Sequence, residues 1–271
     1  MLRDPSTRRF DLHMHSLRSD GRFSPEEVLE RCARGGLDAI ALTDHDLTAP
    51  FAPGRHDVAG RPLWLIAGAE VSATHEGQEL HLLVYFPGAV PQTFLDFSAS
   101  QIAERAQRYD QAIDQLGMEL PRSAEHGQYG ALSLTRHHLA RALVAGGHAK
   151  DLRDAFTRYA GGNHIVPEMS VQFVDAIRFA REAGGITSWA HPSPADVQRL
   201  LPTFANAGIH AIEGLRPSLS SAEKRLMRRA AEKHGLFLTA GSDWHGWCGQ
   251  EPGWFSADQA DLAGFLNAMN A

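Results

Sequence analysis

Apolar runs that end in histidine or acidic residues recur along this chain. The first lies in RRFDLHMHSLRSDG, residues 8–21, where apolar and polar residues alternate. On a strand, Asp11, His13 and His15 would point to one face and the apolar residues between them to the other. Six later runs of strand length follow, LDAIALTDHD, LWLIAGAE, ELHLLVYF, GITSWAHP, IHAIEGL and LFLTAGSDWH. Apolar runs bounded in this way are typical of buried strands, so the pattern predicts seven strands.

Helical patterns precede or follow most of the predicted strands. In SPEEVLERCARGG, Ser24 is an N-cap residue, Pro25 occupies the first helical position and Glu27 completes a capping box. The glycine pair that follows predicts the end of this helix. VQFVDAIRFAREAGG and SAEKRLMRRAAEKHG also have helical periodicity. Alternation of strands with helices predicts an α/β fold with a barrel-like layout.

The middle of the chain has a different pattern. Between Pro91 and about Glu168 the sequence is helical throughout and contains no convincing strand pattern. We expect a helical insertion at residues 93–168, packed over the barrel mouth, which divides the barrel into residues 8–92 and 169–271. Long crossover helices of the main domain would produce a similar pattern, and this alternative stays open.

Composition and charge narrow the class of protein. The 271 residues are 43% hydrophobic and 21% charged, which is ordinary for a soluble globular protein. No apolar run approaches the roughly 20 residues that span a bilayer, and the first ten residues lack a signal-peptide core. With two distant cysteines, Cys32 and Cys248, a disulfide framework is not expected, and Cys248 should be a free buried thiol. We therefore expect a cytoplasmic protein with no membrane partner. The net charge of −6 argues against an extended nucleic-acid surface.

Imidazoles and carboxylates cluster where the predicted strands end. The carboxyl ends of strands in an α/β barrel share one rim, so these side chains should lie together. One catalytic divalent ion takes about three protein ligands, and imidazole mixed with carboxylate suits Zn, Mn or Fe. The sequence therefore predicts two or three divalent ions. The nine candidate ligands are His13, His15, Asp20, His45, Glu70, His81, His191, Asp243 and His245.

DLHMHS, SDG, TDHD, AEVS, HLLVYF, AHP and GSDWH together, in this order, resemble the PHP (polymerase and histidinol phosphatase) family. They are most similar to a bacterial branch of phosphoesterases that acts on nucleoside 3′,5′-bisphosphates and on the 5′ ends of RNA. The resemblance implies a distorted seven-stranded β/α barrel that holds up to three metal ions. It implies one set of ligands for each ion. The first set is His13, His15, Glu70 and Asp243. Glu70 bridges to a second ion held by His81 and His191, and the third set is Asp20, His45 and His245.

The predicted insertion carries a resemblance of its own. In this branch a helix with two arginines three residues apart precedes a TRxHFAR-like motif, and here these are Arg105 and Arg108, then Arg136 and His138. The guanidinium fork matches phosphate oxygens, and residues three apart share a helix face. The resemblance implies that all four contact substrate. Solvated surface arginines remain the alternative for the helix pair.

The resemblance implies hydrolysis of a phosphate ester by a metal-bound hydroxide. Arg136 and His138 would take part in catalysis, and Asp243 and His191 are candidates for protonating the leaving group. The substrate would be a nucleoside 3′,5′-bisphosphate or a short 5′-phosphorylated oligonucleotide, processed by a monomer or simple homo-oligomer. The sequence departs from the motifs at His137, Leu139, Trp244 and the SP pair after AHP, and these departures put substrate choice in doubt.

Other functions stay open. Cyclic-phosphate diesterase and histidinol-phosphatase-like activities would use the same ligands. An amidohydrolase is less favoured. Many amidohydrolases bridge two metal ions with a carboxylated lysine at a strand end, but the three lysines of this chain lie in segments predicted as helix or loop. A metal-holding module without turnover should lack ligands, yet all nine positions are filled. Trp244, Trp247 and Trp254 either stack on a base or pack in the interior.

Overall fold

The computed structural model describes residues 9–127, 130–161 and 165–270. Residues 8 and 271, the outer bounds of the predicted barrel, lie outside the described residues. The strands are β1 Phe10–Met14, β2 Ala39–Leu42, β3 Gly54–Val58, β4 Arg61–His75, β5 Gln78–Phe86, β6 Ile186–Trp189, β7 Ala211–Leu215 and β8 Phe237–Ala240. The helices are α1 Pro25–Arg34, α2 Gln92–Leu116, α3 Ser123–His126, α4 Arg136–Ala145, α5 Leu152–Ala155, α6 Phe173–Glu182, α7 Pro194–Ala207, α8 Ser221–Lys233 and α9 Ala263–Met269, with a π-helical turn at Phe156–Ala160.

Seven strands form one curled sheet in the order β1-β2-β4-β5-β6-β7-β8, and each corresponds to a predicted strand. The fold class is therefore confirmed as a distorted seven-stranded α/β barrel. The ends of the sheet meet beyond β8, where Asp243 N donates to His13 O and His15 N donates to Trp244 O, both at 2.9 Å. These two bonds bring the last strand's exit loop beside the first strand.

The sheet differs from the expected all-parallel arrangement in two respects. The short strand β3 pairs antiparallel with β4 as a hairpin outside the main path. Its alternating exposed residues contain no apolar run, which is why the sequence pattern did not predict it. In addition, β5 is antiparallel to both β4 and β6, because a tight turn joins it to β4.

His81 was expected where a strand ends, but it lies within β5, and the reversed direction of β5 explains why it still reaches the rim. In parallel strands the site residues follow the carboxyl end, but His81 lies in the amino-terminal half of β5. Because β5 runs the other way, that half lies at the rim where the parallel strands end, and His81 pairs with Ser72 of β4. Glu70 is likewise inside a strand, since β4 continues to His75.

The helix signals that we recognised in the sequence are confirmed. Ser24 caps α1 by accepting a hydrogen bond from Glu27 N, and the Glu27 carboxylate accepts a hydrogen bond from Ser24 N. Pro25 occupies the first turn, and α1 ends at Gly35. The predicted helices late in the chain are α6 and α8. No described helix is both long and apolar enough to cross a membrane.

Besides a smaller cluster around α1 and β2, two apolar clusters pack the barrel and the middle segment. The larger one packs the sheet against α6 to α9 and includes the fully buried Phe173, Trp189 and Phe204. A second cluster, around Ile113, Leu139 and other residues between 109 and 166, packs the helices of the middle segment against one another. The bounds of the insertion at residues 93 and 168 stay a prediction.

Candidate metal centre

Both histidines of the opening motif are fully buried at the rim, with one ring nitrogen facing inward. His13 Nε2 lies 3.2 Å from a Glu70 oxygen and 3.4 Å from Asp243 Oδ1. His15 Nε2 lies 3.3 Å from the other Glu70 oxygen and also 3.3 Å from Asp243 Oδ1. The alternation along β1 therefore brings both imidazoles to the same two carboxylates.

Glu70 lies at the middle of the cluster, and its side chain is 1% exposed. A carboxylate has about four acceptor sites, so Glu70 cannot accept a hydrogen bond from each of the five imidazoles that surround it. The nitrogens within 3.3 Å of its oxygens belong to His13, His15, His45, His81 and His191.

A second acidic residue, Asp20, gathers the remaining candidates. Its oxygens lie 3.2 Å from His245 Nε2, 3.6 Å from His45 Nε2 and 3.8 Å from His15 Nδ1. All nine predicted ligands therefore converge on one region. Three groups have ligand atoms within 4.8 Å of one another, namely His13, His15 and Glu70; His45, Glu70 and His81; and His15, Asp20, His45 and His245.

The chemistry of these donors fits divalent ions. His13 Nε2, His15 Nε2, His45 Nδ1 and Glu70 Oε2 are all buried, and none has a hydrogen-bond partner. Buried polar atoms without partners are rare, since each costs about 1–3 kcal/mol. Four such atoms that face one another are suited to bind a cation. The residues present therefore fit a divalent metal centre.

Electrostatics within the cluster point the same way. Burial alone would raise the pKa of Glu70, but charge on His13, His81 and His45 holds it well below its usual range. Burial opposes a charge on His245, yet Asp20 raises its pKa to about 10. Burial and the charge of His245 lower the pKa of His15 to about 3. The carboxylates thus stabilise positive charge in the cluster, and a charge on one imidazole opposes a charge on its neighbour.

Asp44, one of the acidic residues that flank His45 in TDHD, holds the loop that carries Asp20. Its carboxylate accepts hydrogen bonds from Ser16 N at 2.8 Å, Ser16 Oγ at 2.7 Å and Ser19 Oγ at 2.6 Å. No pattern in the sequence indicates this role, because the partners lie on a loop whose path depends on the fold. Asp44 therefore positions a candidate ligand without being one.

Asp46, the other flanking residue, anchors the middle segment to the barrel. It accepts hydrogen bonds from Ser72 N at 2.9 Å and from Arg105 Nε at 2.5 Å. Arg105 also donates to Leu134 O at 2.9 Å and to Ser72 Oγ. The guanidinium is buried and has three partners in the protein. It is therefore not a solvated surface group.

Arg108 and Arg136 lie on a cavity of about 280 Å³ beside the imidazole cluster. Arg108 donates to Pro167 O at 2.6 Å and to Glu79 Oε2 at 2.5 Å. One terminal nitrogen of Arg136 lies 3.7 Å from Glu79 Oε2. Its Nε and this nitrogen are buried and lack a hydrogen-bond partner. Arg136 thus presents unused donors beside the cluster, with His45 and His81 on the same cavity.

The two histidines of LTRHH have different surroundings. His138 Nδ1 accepts a hydrogen bond from Thr135 N at 3.1 Å, which completes a capping box at the start of α4, and burial lowers its pKa to about 3. His137, which the sequence analysis treated only as a departure, lines the arginine cavity. Its ring centre lies 5.4 Å from that of Trp247, and its Nδ1 is buried without a hydrogen-bond partner.

An aromatic cavity of about 850 Å³ adjoins the other side of the cluster, where Asp243 and His245 form part of its wall. Trp247 and Trp254 also line it, and they are 37% and 49% exposed. Trp244 is 6% exposed and packs against Phe23. Cys248 is free but exposed, so the expectation of a buried thiol was wrong.

Comparisons with known proteins agree with this geometry. The model of the PHP domain matches residues 11–161. The 5′-3′ exoribonuclease Rnm of Escherichia coli (strain K12) is 32% identical over 88% of this chain and 86% of its own length. A 3′,5′-nucleoside bisphosphate phosphatase of Chromobacterium violaceum is 32% identical over 87% of this chain and 86% of its own length.

A solved structure extends the likeness to the fold. A protein of Bifidobacterium adolescentis, provisionally classed as a metal-dependent phosphoesterase, superposes with a TM-score of 0.75 and 25% identity. The match covers 96% of both chains. The chain belongs to the PHP domain family and is a metal-dependent phosphoesterase.

Proposed function

We propose that the protein is a nucleotide phosphatase that acts on nucleoside 3′,5′-bisphosphates or short 5′-phosphorylated oligonucleotides. The observation that carries this proposal is Arg136, whose unpaired buried donors lie on a small cavity beside the ligand cluster. A guanidinium with free donors in a buried site is suited to bind a phosphate. The substrate therefore needs a second phosphate besides the ester that is cleaved.

In this proposal the nine predicted ligands hold two or three ions of Mn, Zn or Fe. Bound ions would make water nucleophilic near neutral pH and offset negative charge on the phosphoryl oxygens. The side chains of Asp243 and His191 are 38% and 36% exposed, more than the other ligands of the first and second sets. We assign the proton that the leaving oxygen requires to His191, because the charge of His13 outweighs burial and holds the pKa of the Asp243 carboxyl well below its usual range.

In the middle segment one residue binds the substrate, and the others hold it or its helix in place. Arg136 binds the second phosphate, and Arg108 supports it by sharing Glu79 Oε2. Arg105 keeps the helix in place through Asp46 rather than by contact with substrate. His138 acts through the cap of α4, which orients the neighbouring Arg136.

The aromatic cavity supports a nucleotide over a simple phosphate ester. Trp254 is half exposed on the wall of this cavity, and Trp247 is fixed by a hydrogen bond of 2.8 Å from its Nε1 to Asp20 O. Nucleobases stack on exposed aromatic rings. A nucleotide would extend from the arginine cavity past the ions to these rings. We expect the enzyme to act on small substrates as a monomer or simple homo-oligomer.

The experiment measures phosphate release by metal-stripped protein reloaded with Mn. Adenosine 3′,5′-bisphosphate should release phosphate, whereas AMP should release little. Opening of a cyclic phosphate to its monoester, detected by chromatography, without phosphate release from the bisphosphate would replace this proposal with a diesterase. Release from none of these esters by the fully loaded protein would contradict a nucleotide phosphatase.

A further inference from the structure

Glu213, a buried carboxylate outside the nine predicted ligands, contacts two of the segments that carry them. It lies in β7 and is fully enclosed. Its Oε1 is 2.9 Å from His13 Nδ1, and its Oε2 accepts a hydrogen bond of 2.8 Å from His191 N. One side chain therefore joins the first strand to the loop after β6.

The contact with His13 determines which ring nitrogen faces the cluster. A carboxylate accepts only, so His13 Nδ1 must carry the proton in this hydrogen bond. The lone pair of a neutral ring is then on Nε2, which faces Glu70 and Asp243. A carboxylate on the far nitrogen also makes a histidine a stronger metal ligand.

The contact with His191 stabilises an unusual backbone conformation at that residue. His191 has a φ of 31°, in the region that residues with side chains rarely adopt. The bond from its backbone N to Glu213 stabilises this conformation, which turns the ring toward Glu70, 3.0 Å away. A second bond, from Arg216 to Pro192 O at 2.9 Å, holds the same loop.

Packing leaves Glu213 little freedom. Gly241 lies against it, and a Cβ at Gly241 would come within 2.5 Å of Glu213 Oε1 and closer still to the His13 side chain. The carboxylate is therefore confined between β1 and the loop that leads to Asp243. Its position is set by the fold before any ion arrives.

We propose that Glu213 is a positioning residue for the metal centre, which raises the affinity for divalent ions by orienting His13 and His191. This inference rests on the proposed metal centre but not on the proposed substrate. Residues that orient metal ligands typically contribute 10- to 100-fold in affinity. Loss of Glu213 should weaken the binding of the ions that His13 and His191 hold. It should not weaken the binding of the ion held by Asp20, His45 and His245.

The test compares Glu213→Gln with the full-length wild type after metal stripping. Mn binding is titrated against a competing chelator, and bound Mn is counted after desalting. A glutamine has one acceptor oxygen, so it can serve His13 or His191 but not both. We expect about 10- to 100-fold weaker binding and the loss of one or two ions, with at least one retained. The control is Glu30→Gln, which removes a surface pair with Arg34.

Binding and ion count equal to the wild type in a folded Glu213→Gln variant would overturn the inference. If the variant does not fold, nitrogen-15 NMR of the wild type loaded with Zn, which is diamagnetic, gives the answer. The His13 signals, identified by their loss in His13→Gln, should show a proton on Nδ1, and a proton on Nε2 instead would contradict the role. Both readouts report metal binding, so they stay informative if no phosphate ester is cleaved.

Discussion

Arg105 Nε donates a 2.5 Å hydrogen bond to Asp46 Oδ2, and this buried ion pair joins α2 to the barrel rim. Removal of one partner from a buried pair leaves the other charge uncompensated. We expect Arg105→Ala to lower the free energy of unfolding by about 3–5 kcal/mol, measured by urea denaturation. Arg122→Ala, which breaks an exposed pair with Asp114, is the control and should change little. Equal effects of the two variants would show that the buried pair is not an anchor.

Arg136 should control the affinity for a second phosphate. Loss of a hydrogen bond to a charged group costs about 1.5–3 kcal/mol, so Arg136→Ala should lower kcat/KM for adenosine 3′,5′-bisphosphate by about 10- to 100-fold. An ester with a single phosphate should be affected much less, because it does not reach this side chain. Steady-state kinetics with both substrates check this, with Arg158→Ala on the surface as control. A uniform loss for both substrates would instead assign Arg136 to the reaction itself.

Trp254 tests the position of the base. Stacking is worth about 1–3 kcal/mol per base, so Trp254→Ala should raise KM for a nucleoside bisphosphate by about 5- to 100-fold. Ribose bisphosphate has no base, and its KM should not change. Trp254→Phe keeps an aromatic ring and should lie between the wild type and the alanine variant. The same KM change with ribose bisphosphate would place the base elsewhere.

Gly241 tests how closely the centre is packed. A methyl group there would collide with His13 and Glu213, so Gly241→Ala should reduce the bound metal and lower the Tm. Gly88→Ala is the matched control, because no heavy atom lies within 4 Å of its added Cβ. Metal analysis and thermal unfolding check the pair. Full metal content in Gly241→Ala would mean that the loop can move aside without harm.

His138 should make stability depend on pH. Burial lowers its pKa to about 3 in the folded state, whereas an unfolded histidine titrates near 6.5. Between these values the unfolded chain binds more protons, so stability falls as pH decreases from about 6.5 toward 3. His138→Gln keeps the capping box of α4 but cannot titrate, so its stability should fall less steeply than that of the wild type. Urea denaturation between pH 7 and 5 measures this slope, with His234→Gln as control. Equal slopes in His138→Gln and the wild type would contradict the prediction.

The predictable part of this protein consists of features that are local in sequence. Strand runs, the capped helix α1 and the histidines and carboxylates that flank the strands could all be recognised without coordinates. Their convergence followed from the rule that parallel strands end at one rim. The period-two pattern does not give the direction of β5, but its connection to β4 does, because the two residues Glu76 and Gly77 are too few for the crossover that parallel strands need.

The supporting residues could not be found, because their partners are distant. Glu213 lies 200 residues from His13, and nothing in IHAIEGL distinguishes its glutamate from a solvated one. Asp44 and Asp46 flank a candidate ligand and would be taken for ligands themselves. Only the folded backbone shows that the first holds a loop and the second holds Arg105.

The reversed strand β5 also bears on how the centre assembles. Glu70 and His81 face each other across one hairpin, so this half of the centre needs only a short loop closure. His13, Asp243 and Glu213 come together only when the two ends of the chain meet, which is a contact of high sequence separation. The hairpin half of the centre would then form first, and the contacts between distant parts of the chain would complete it late in folding. Ions bound across the two halves would hold the first and last strands together, and the metal-loaded protein would be more stable to unfolding than the metal-free one.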